Sequence, residues 1–211
     1  MKGLVSPLAA LAMTLQPVAA LSAPKVLRPP SRETRCELGG WTAPMIDKPI
    51  PVRAAPRADA RVLGTLPTAA PPATSPDDIY PVDFSIIGAR DGWLKISDAS
   101  DAMNEAHARP VFGGVGWIEG GTARLGIQSG RGYARPDIHS EKLLDLEGGW
   151  LADRGWIVGL AGCSGKWVLV DYRLHSPKGT LERLPMKPYR AWFRGACGAS
   201  ETTCDMPSVD R

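Results

Sequence analysis

Two stretches of this chain carry the same landmarks in the same order, and that duplication constrains the fold more than any other feature. The first runs Val52-Arg53-Ala54-Ala55-Pro56, Arg61-Val62-Leu63-Gly64-Thr65-Leu66 and Asp91-Gly92-Trp93-Leu94-Lys95-Ile96, and closes on Gly116-Trp117-Ile118. The second runs Tyr133-Ala134-Arg135-Pro136, Lys142-Leu143-Leu144-Asp145-Leu146 and Ser164-Gly165-Lys166-Trp167-Val168-Leu169-Val170, and closes on Ala191-Trp192-Phe193. Ordered self-similarity of this kind marks a repeated structural unit. Each block is short, rich in Val, Ile, Leu or Trp, and bounded by Gly, Pro or Asp, which is the signature of strands separated by turns. Asp91-Gly92 and Ser164-Gly165 fall between paired apolar runs and predict tight hairpin turns. With 23 Gly and 20 Pro in 211 residues, the chain is cut into short segments, so long helices are not expected and an all-β fold is. The units are placed at 47–121 and 122–206, leaving a tail at 207–211.

The first series resembles a bacterial SH3-like (SH3b) domain. That family opens on Asn-Val-Arg-x-x-Pro, continues through a Val-hydrophobic-Gly step and a Gly-Trp-x-x-Val strand, and closes on Gly-Trp-Val. Here Pro51 stands in place of the opening Asn. The second series is more divergent, with Gly132 at the starting Val and Lys166 before Trp167 where the family has Gly. The resemblance implies two tandem small SH3-like β-barrels. It also implies a role seen in secreted or periplasmic bacterial proteins, where such modules serve as non-catalytic targeting units.

The N-terminus reads as an address. Lys2 gives a positive start, and Leu4 to Ala20 is apolar except at Ser6, Thr14 and Gln16. Small residues follow, so 1–20 has the layout of a cleaved signal peptide. Cleavage is expected after Ala20, because cutting after Ala23 would leave Pro24 at the new terminus. Pro7, Gln16 and Pro17 break the apolar run, which falls short of the ~20 residues that span a bilayer, so no stable membrane insertion is expected. A periplasmic or secreted location follows as an expectation, and residues 21–46 become an N-terminal segment tethered by Cys36.

Cys36, Cys163, Cys197 and Cys204 suit that oxidising compartment. Four cysteines allow three pairings. The short polar loop between Cys197 and Cys204 favours a local bridge, leaving Cys36 with Cys163, although spacing alone leaves all three open. There is no Cys-x-x-Cys, and His107, His139 and His175 lack ligand spacing, so no metal or cofactor is expected.

Charge narrows the partners. The 25 basic and 22 acidic residues give +3 with no dense basic run, which offers nothing for neutralising nucleic-acid phosphates. For catalysis, every Cys sits among Gly, Ser and strand residues. The carboxylate pairs Asp77 with Asp78, Asp98 with Asp101, and Asp145 with Glu147 read as solvated loop groups. No phosphate loop, zinc helix or serine elbow occurs. Trp93, Trp117, Trp167 and Trp192 stand at equivalent repeat positions and are expected to pack. Trp41, Trp150 and Trp156, outside the repeated blocks, together with Tyr80, Tyr133 and Tyr189, are the candidate ligand contacts, their flat faces suiting sugar rings or prolines. Arg53 and Arg135, beside the strand-start prolines, are expected in ion pairs. Three polar excursions, at 67–78, 97–110 and 174–188, read as surface loops. The expected activity is non-enzymatic binding of cell-wall peptide, peptidoglycan or an envelope protein. The alternative is an inhibitor or immunity-type protein that blocks a partner enzyme with a loop such as 67–80.

Overall fold

The computed structural model describes residues 26–44, 46–68, 80–175 and 188–198. The signal-peptide region 1–20, Cys204, the tail 207–211 and most of the loops at 67–78 and 174–188 lie outside the described residues. Within them the protein is almost wholly β. Its strands are β1 (Thr34–Thr42), β2 (Ile50–Arg53), β3 (Val62–Leu66), β4 (Asp83–Arg90), β5 (Trp93–Ser100), β6 (Gly116–Glu119) and β7 (Ala123–Arg124). They continue as β8 (Gly126–Ile127), β9 (Arg131–Tyr133), β10 (Lys142–Asp145), β11 (Gly155–Ser164), β12 (Trp167–Leu174), β13 (Tyr189–Phe193) and β14 (Ala196–Cys197). Among the described residues a single short α-helix, α1 (Leu151–Arg154), precedes β11, and two 3-10 turns lie at Ala102–His107 and Gly120–Thr122. Among the described residues no helix is long and apolar enough to cross a membrane.

The first five repeat strands lie in the order β3-β2-β6-β5-β4, and the second five in the matching order β10-β9-β13-β12-β11. Register repeats too. Leu94 faces Ile118 as Val168 faces Phe193, and Lys95 faces Trp117 as Leu169 faces Trp192. The irregularity between Ile86 and Gly88 recurs between Leu160 and Gly162. Even the turn after the opening strand repeats: Ala54 N donates to Arg61 O and Ala134 N to Glu141 O, both at 2.9 Å. Alternation explains why register is so well fixed. Leu94 and Ile96, like Val168 and Val170, put buried side chains inward, and a one-residue slip would turn them to water. The hairpin β4–β5 turns at Asp91 (φ 50°) and Gly92 (φ 83°), as the sequence predicts. The second hairpin turns one residue later than expected, at Gly165-Lys166, with Gly165 at φ 57°.

The two halves are not independent bodies. One hydrophobic core takes Ile86, Leu94 and Ile118 from the first and Leu160, Val168 and Phe193 from the second. Fully burying each such side chain stabilises the fold by roughly 1.5–3 kcal/mol. At the seam, a Cβ on Gly120 would lie 1.8 Å from Leu160 O, so only glycine lets the backbones approach this closely.

The N-terminal segment is the stitch between the halves. β1 pairs antiparallel with β4 and then with β7, extending the first sheet to seven strands. On its other side, Glu37 N donates to Gly165 O at 3.0 Å and Gly165 N to Arg35 O at 2.8 Å. Thr34 Oγ1 lies 3.1 Å from Ala89 O and 2.5 Å from Cys163 O, touching both halves at once. A disulfide joins Cys36 in β1 to Cys163 in β11, across 127 positions of sequence. Cys197 is also disulfide-bonded, and its expected partner Cys204 lies outside the described residues. Further upstream, Leu27 packs with Tyr133, Ala161, Leu169 and Trp192 in a second, smaller core on the outer face of the second half. Residues 26–42 therefore form an integral part of both halves.

Candidate functional site

Where β1 ends, the chain passes Pro44. Where the first half hands over to the second, it runs through β7 and β8, and then returns through α1 into β11. These four passages leave a cleft of about 330 Å³, lined by Trp41, Arg124, Leu125, Ile127, Leu151 and Trp156 among others. Trp41 and Arg124 are direct register partners on β1 and β7, which sets indole and guanidinium side by side. Trp156, at the start of β11, is 38% exposed. Its ring packs against His175, centroids 5.2 Å apart, and His175 N donates to Arg154 O at 2.8 Å. Arg124 Nη1 donates to Gly121 O at 2.9 Å and to Ala123 O at 2.7 Å. Burial lowers its pKa, since the charged form gives up water.

The structure thus brings together two of the six aromatic candidates, Trp41 and Trp156. Trp150, 40% exposed, sits at the N-terminal end of α1, whose Leu151 and Ala152 line the cleft. The other three lie elsewhere. Tyr133 is 6% exposed and edge-on to Trp167 at 5.5 Å inside the second core, so its ring presents no open face to a ligand. It carries the apolar cover of the second half instead. Tyr189, at the start of β13, is exposed, its ring tilted against that of Tyr172 with centroids 5.8 Å apart. Tyr172 is pushed up to about 12 by burial first and by Tyr189 second. Tyr80 is half-buried, and its carbonyl accepts from Arg109 Nη2 at 3.1 Å.

That arginine corrects another expectation. Asp101 is not a solvated loop carboxylate: it is 5% exposed and accepts from Arg109 N, Nε and Nη2 at 2.7, 2.8 and 2.7 Å, and from Asn104 Nδ2 at 2.6 Å. Arg109 also donates to the carbonyls of Thr68 and Tyr80, and so ties the residues on either side of 69–79 to the 101–109 excursion. Burial raises the Asp101 pKa, but the bonds from Arg109 and Asn104 outweigh it and hold the carboxyl below its ordinary value. Of the other carboxylates weighed for acid–base work, Asp145 accepts from Lys142 Nζ at 2.8 Å and from Glu147 N at 3.1 Å, locking a turn. Asp98 accepts from its neighbour Ser97. Asp77 and Asp78 lie outside the described residues.

Arg53 forms no ion pair among the described residues; its Nη1 donates to Ala60 O at 2.8 Å and closes the repeat turn. In the second half Ser140 does that work, bonding Arg135 N and O at 3.2 and 3.3 Å. The predicted packing tryptophans Trp117 and Trp192 are buried, and Trp93 and Trp167 are partly so. A larger groove, about 780 Å³, runs over β1 and β4 beside Glu37, Asp83 and Asp98. Its one aromatic, Phe84, is buried in the core, so it offers no flat face for stacking.

Sequence reasoning missed Arg124 and the Asp101–Arg109 clamp. A lone cation in the apolar run Ala123-Arg124-Leu125-Gly126-Ile127 was the available signal for the first. Comparison of the chain with protein families, with curated proteins and with solved structures finds no match in any of the three.

Proposed function

We propose that this protein is an exported, non-catalytic binding module of two SH3b-like units, and that its ligand is cell-wall peptide or peptidoglycan. Ligand docks in the cleft between the halves. The observation that carries the reading is the convergence of Trp41 and Trp156, far apart in sequence, on one cleft beside Arg124. Half-exposed indoles held on strands are rigid apolar platforms that lose little entropy on stacking. The buried disulfide supports an oxidising, exported setting. The common strand order of the two halves supports duplication of one small β unit.

The test is co-sedimentation of the mature protein with purified peptidoglycan sacculi, read alongside tryptophan fluorescence. Binding with a fluorescence change that Trp156→Ala weakens at least tenfold is the expected result. Protein that stays in the supernatant at every sacculus concentration removes the wall ligand. Capture from an envelope extract then separates a protein partner from none.

A further inference from the structure

The cleft's wall is apolar with one exception: Arg124 is the single ionisable side chain among the described residues lining it. Its Nη1 is held by two backbone carbonyls, which fixes the guanidinium plane. Its Nε and Nη2 make no hydrogen bond, and no carboxylate pairs with it, among the described residues. Two other anchored arginines are matched, Arg109 by Asp101 and Arg190 by Asp171, with two bonds at 2.6 and 2.8 Å in the latter. Arg53, which also forms no ion pair among the described residues, is held by Ala60 O and does not line the cleft. A half-buried, oriented and unmatched guanidinium beside two indoles is a fork waiting for a planar anion.

From this we infer that the cleft takes an apolar segment ending in a carboxylate, with the carboxylate on the free edge of Arg124 and the apolar part against Trp41 and Trp156. This deepens, and rests on, the reading of the protein as a binding module. A single cation with no second basic group and an apolar surround matches a monoanion; a phosphate dianion would be left with charge unmatched. The natural form of such a ligand is the C-terminal end of a short peptide.

The test uses acetyl-Ala-Leu-Phe as the free acid and as the C-terminal amide, titrated into the full chain and followed by backbone amide NMR shifts. The acid is expected to shift residues of β7, α1 and the start of β11 and to bind at least tenfold more tightly than the amide. Arg124→Gln is expected to erase that gap by lowering the acid to the amide's affinity. Trp156→Ala is expected to weaken both. Near-UV circular dichroism checks that the variants keep the fold, and Arg124→Lys, which keeps the charge but not the fork, is expected to fall between.

Equal binding of acid and amide, shifts confined elsewhere, no binding of either, or an acid affinity untouched by Arg124→Gln each overturns the inference. Sacculus binding that survives Arg124→Gln overturns the carboxylate anchor and leaves the module reading standing. An acid–amide gap in a protein that ignores sacculi does the reverse.

Discussion

The two halves share a skeleton and differ in what they do with its outer face. At three neighbouring positions the first half carries Arg53, Trp117 and Lys95, and the second carries Tyr133, Trp192 and Leu169. In the first, Lys95 Nζ lies 5.6 Å from the buried Trp117 ring and 2.8 Å from Glu33 Oε1, an ion pair that stays partly open to water. In the second, Leu169 is 0% exposed beneath Leu27, and Arg190 fastens the cover by donating to Leu27 O at 2.9 Å. The inward residues and the turns fix strand order and register, so the outward positions are free to specialise. One half keeps a solvated surface. The other turns the same surface into a second core.

The largest test of this contrast is to cut the bond between the halves. Cys36→Ser with Cys163→Ser is expected to lower stability by about 5 kcal/mol, the loop-closure value for so long a span, measured by urea unfolding. Two separate transitions in the variant would show that the halves hold together chiefly through this staple; one transition would credit the shared core. Next, Leu169→Lys copies the first half's residue into the second and buries an unpaired charge under Leu27. We expect a loss of about 4 kcal/mol. A loss below 1 kcal/mol would mean that the cover is not a true core.

Asp101→Asn breaks the clamp of the first half and is expected to cost about 3 kcal/mol, because the Arg109 guanidinium loses its buried partner. The same pair gives a pH signature. The folded carboxyl titrates below its unfolded value near 3.8, so its contribution is whole above about pH 4 and is lost as pH falls through the folded value. Acid unfolding curves of wild type and Asp101→Asn should therefore converge toward low pH. Curves that stay parallel would remove the linkage. The smallest effect belongs to the reciprocal swap: Lys95→Leu gives up a partly exposed ion pair and should change stability by less than about 0.5 kcal/mol.

What was legible in the sequence was what local pattern dictates. Apolar alternation and Asp91-Gly92 give β4, β5 and their turn, and the matching blocks foretell a matching strand order. What was not legible depends on tertiary meetings. Nothing around Trp41 says that it will line one cleft with Trp156, because that meeting is set by β1 pairing with β7 and by α1 leading into β11. Asp101 reads as a loop acid because its partner Arg109 lies eight residues on, beyond the 3-10 turns of Ala102–His107, in a polar excursion whose fold no apolar pattern reveals. Tyr133 looks like a loop aromatic until Leu27, more than a hundred residues earlier, comes to lie over it. The turn at Gly165 was misplaced by one residue for a smaller reason: Ser164 still pairs with Trp167, and only the hydrogen-bonded partner reveals that.

The cystine between Cys36 and Cys163 also bears on the order in which the molecule is completed. A polypeptide emerges from its N-terminal end, and between these two positions no other sulfhydryl exists. Cys36 must wait while the whole first half is delivered, and the next thiol to arrive is its correct mate. The linear order of synthesis therefore favours this cross-link over one to Cys197 or Cys204, which follow later. The bond records that the second half has arrived.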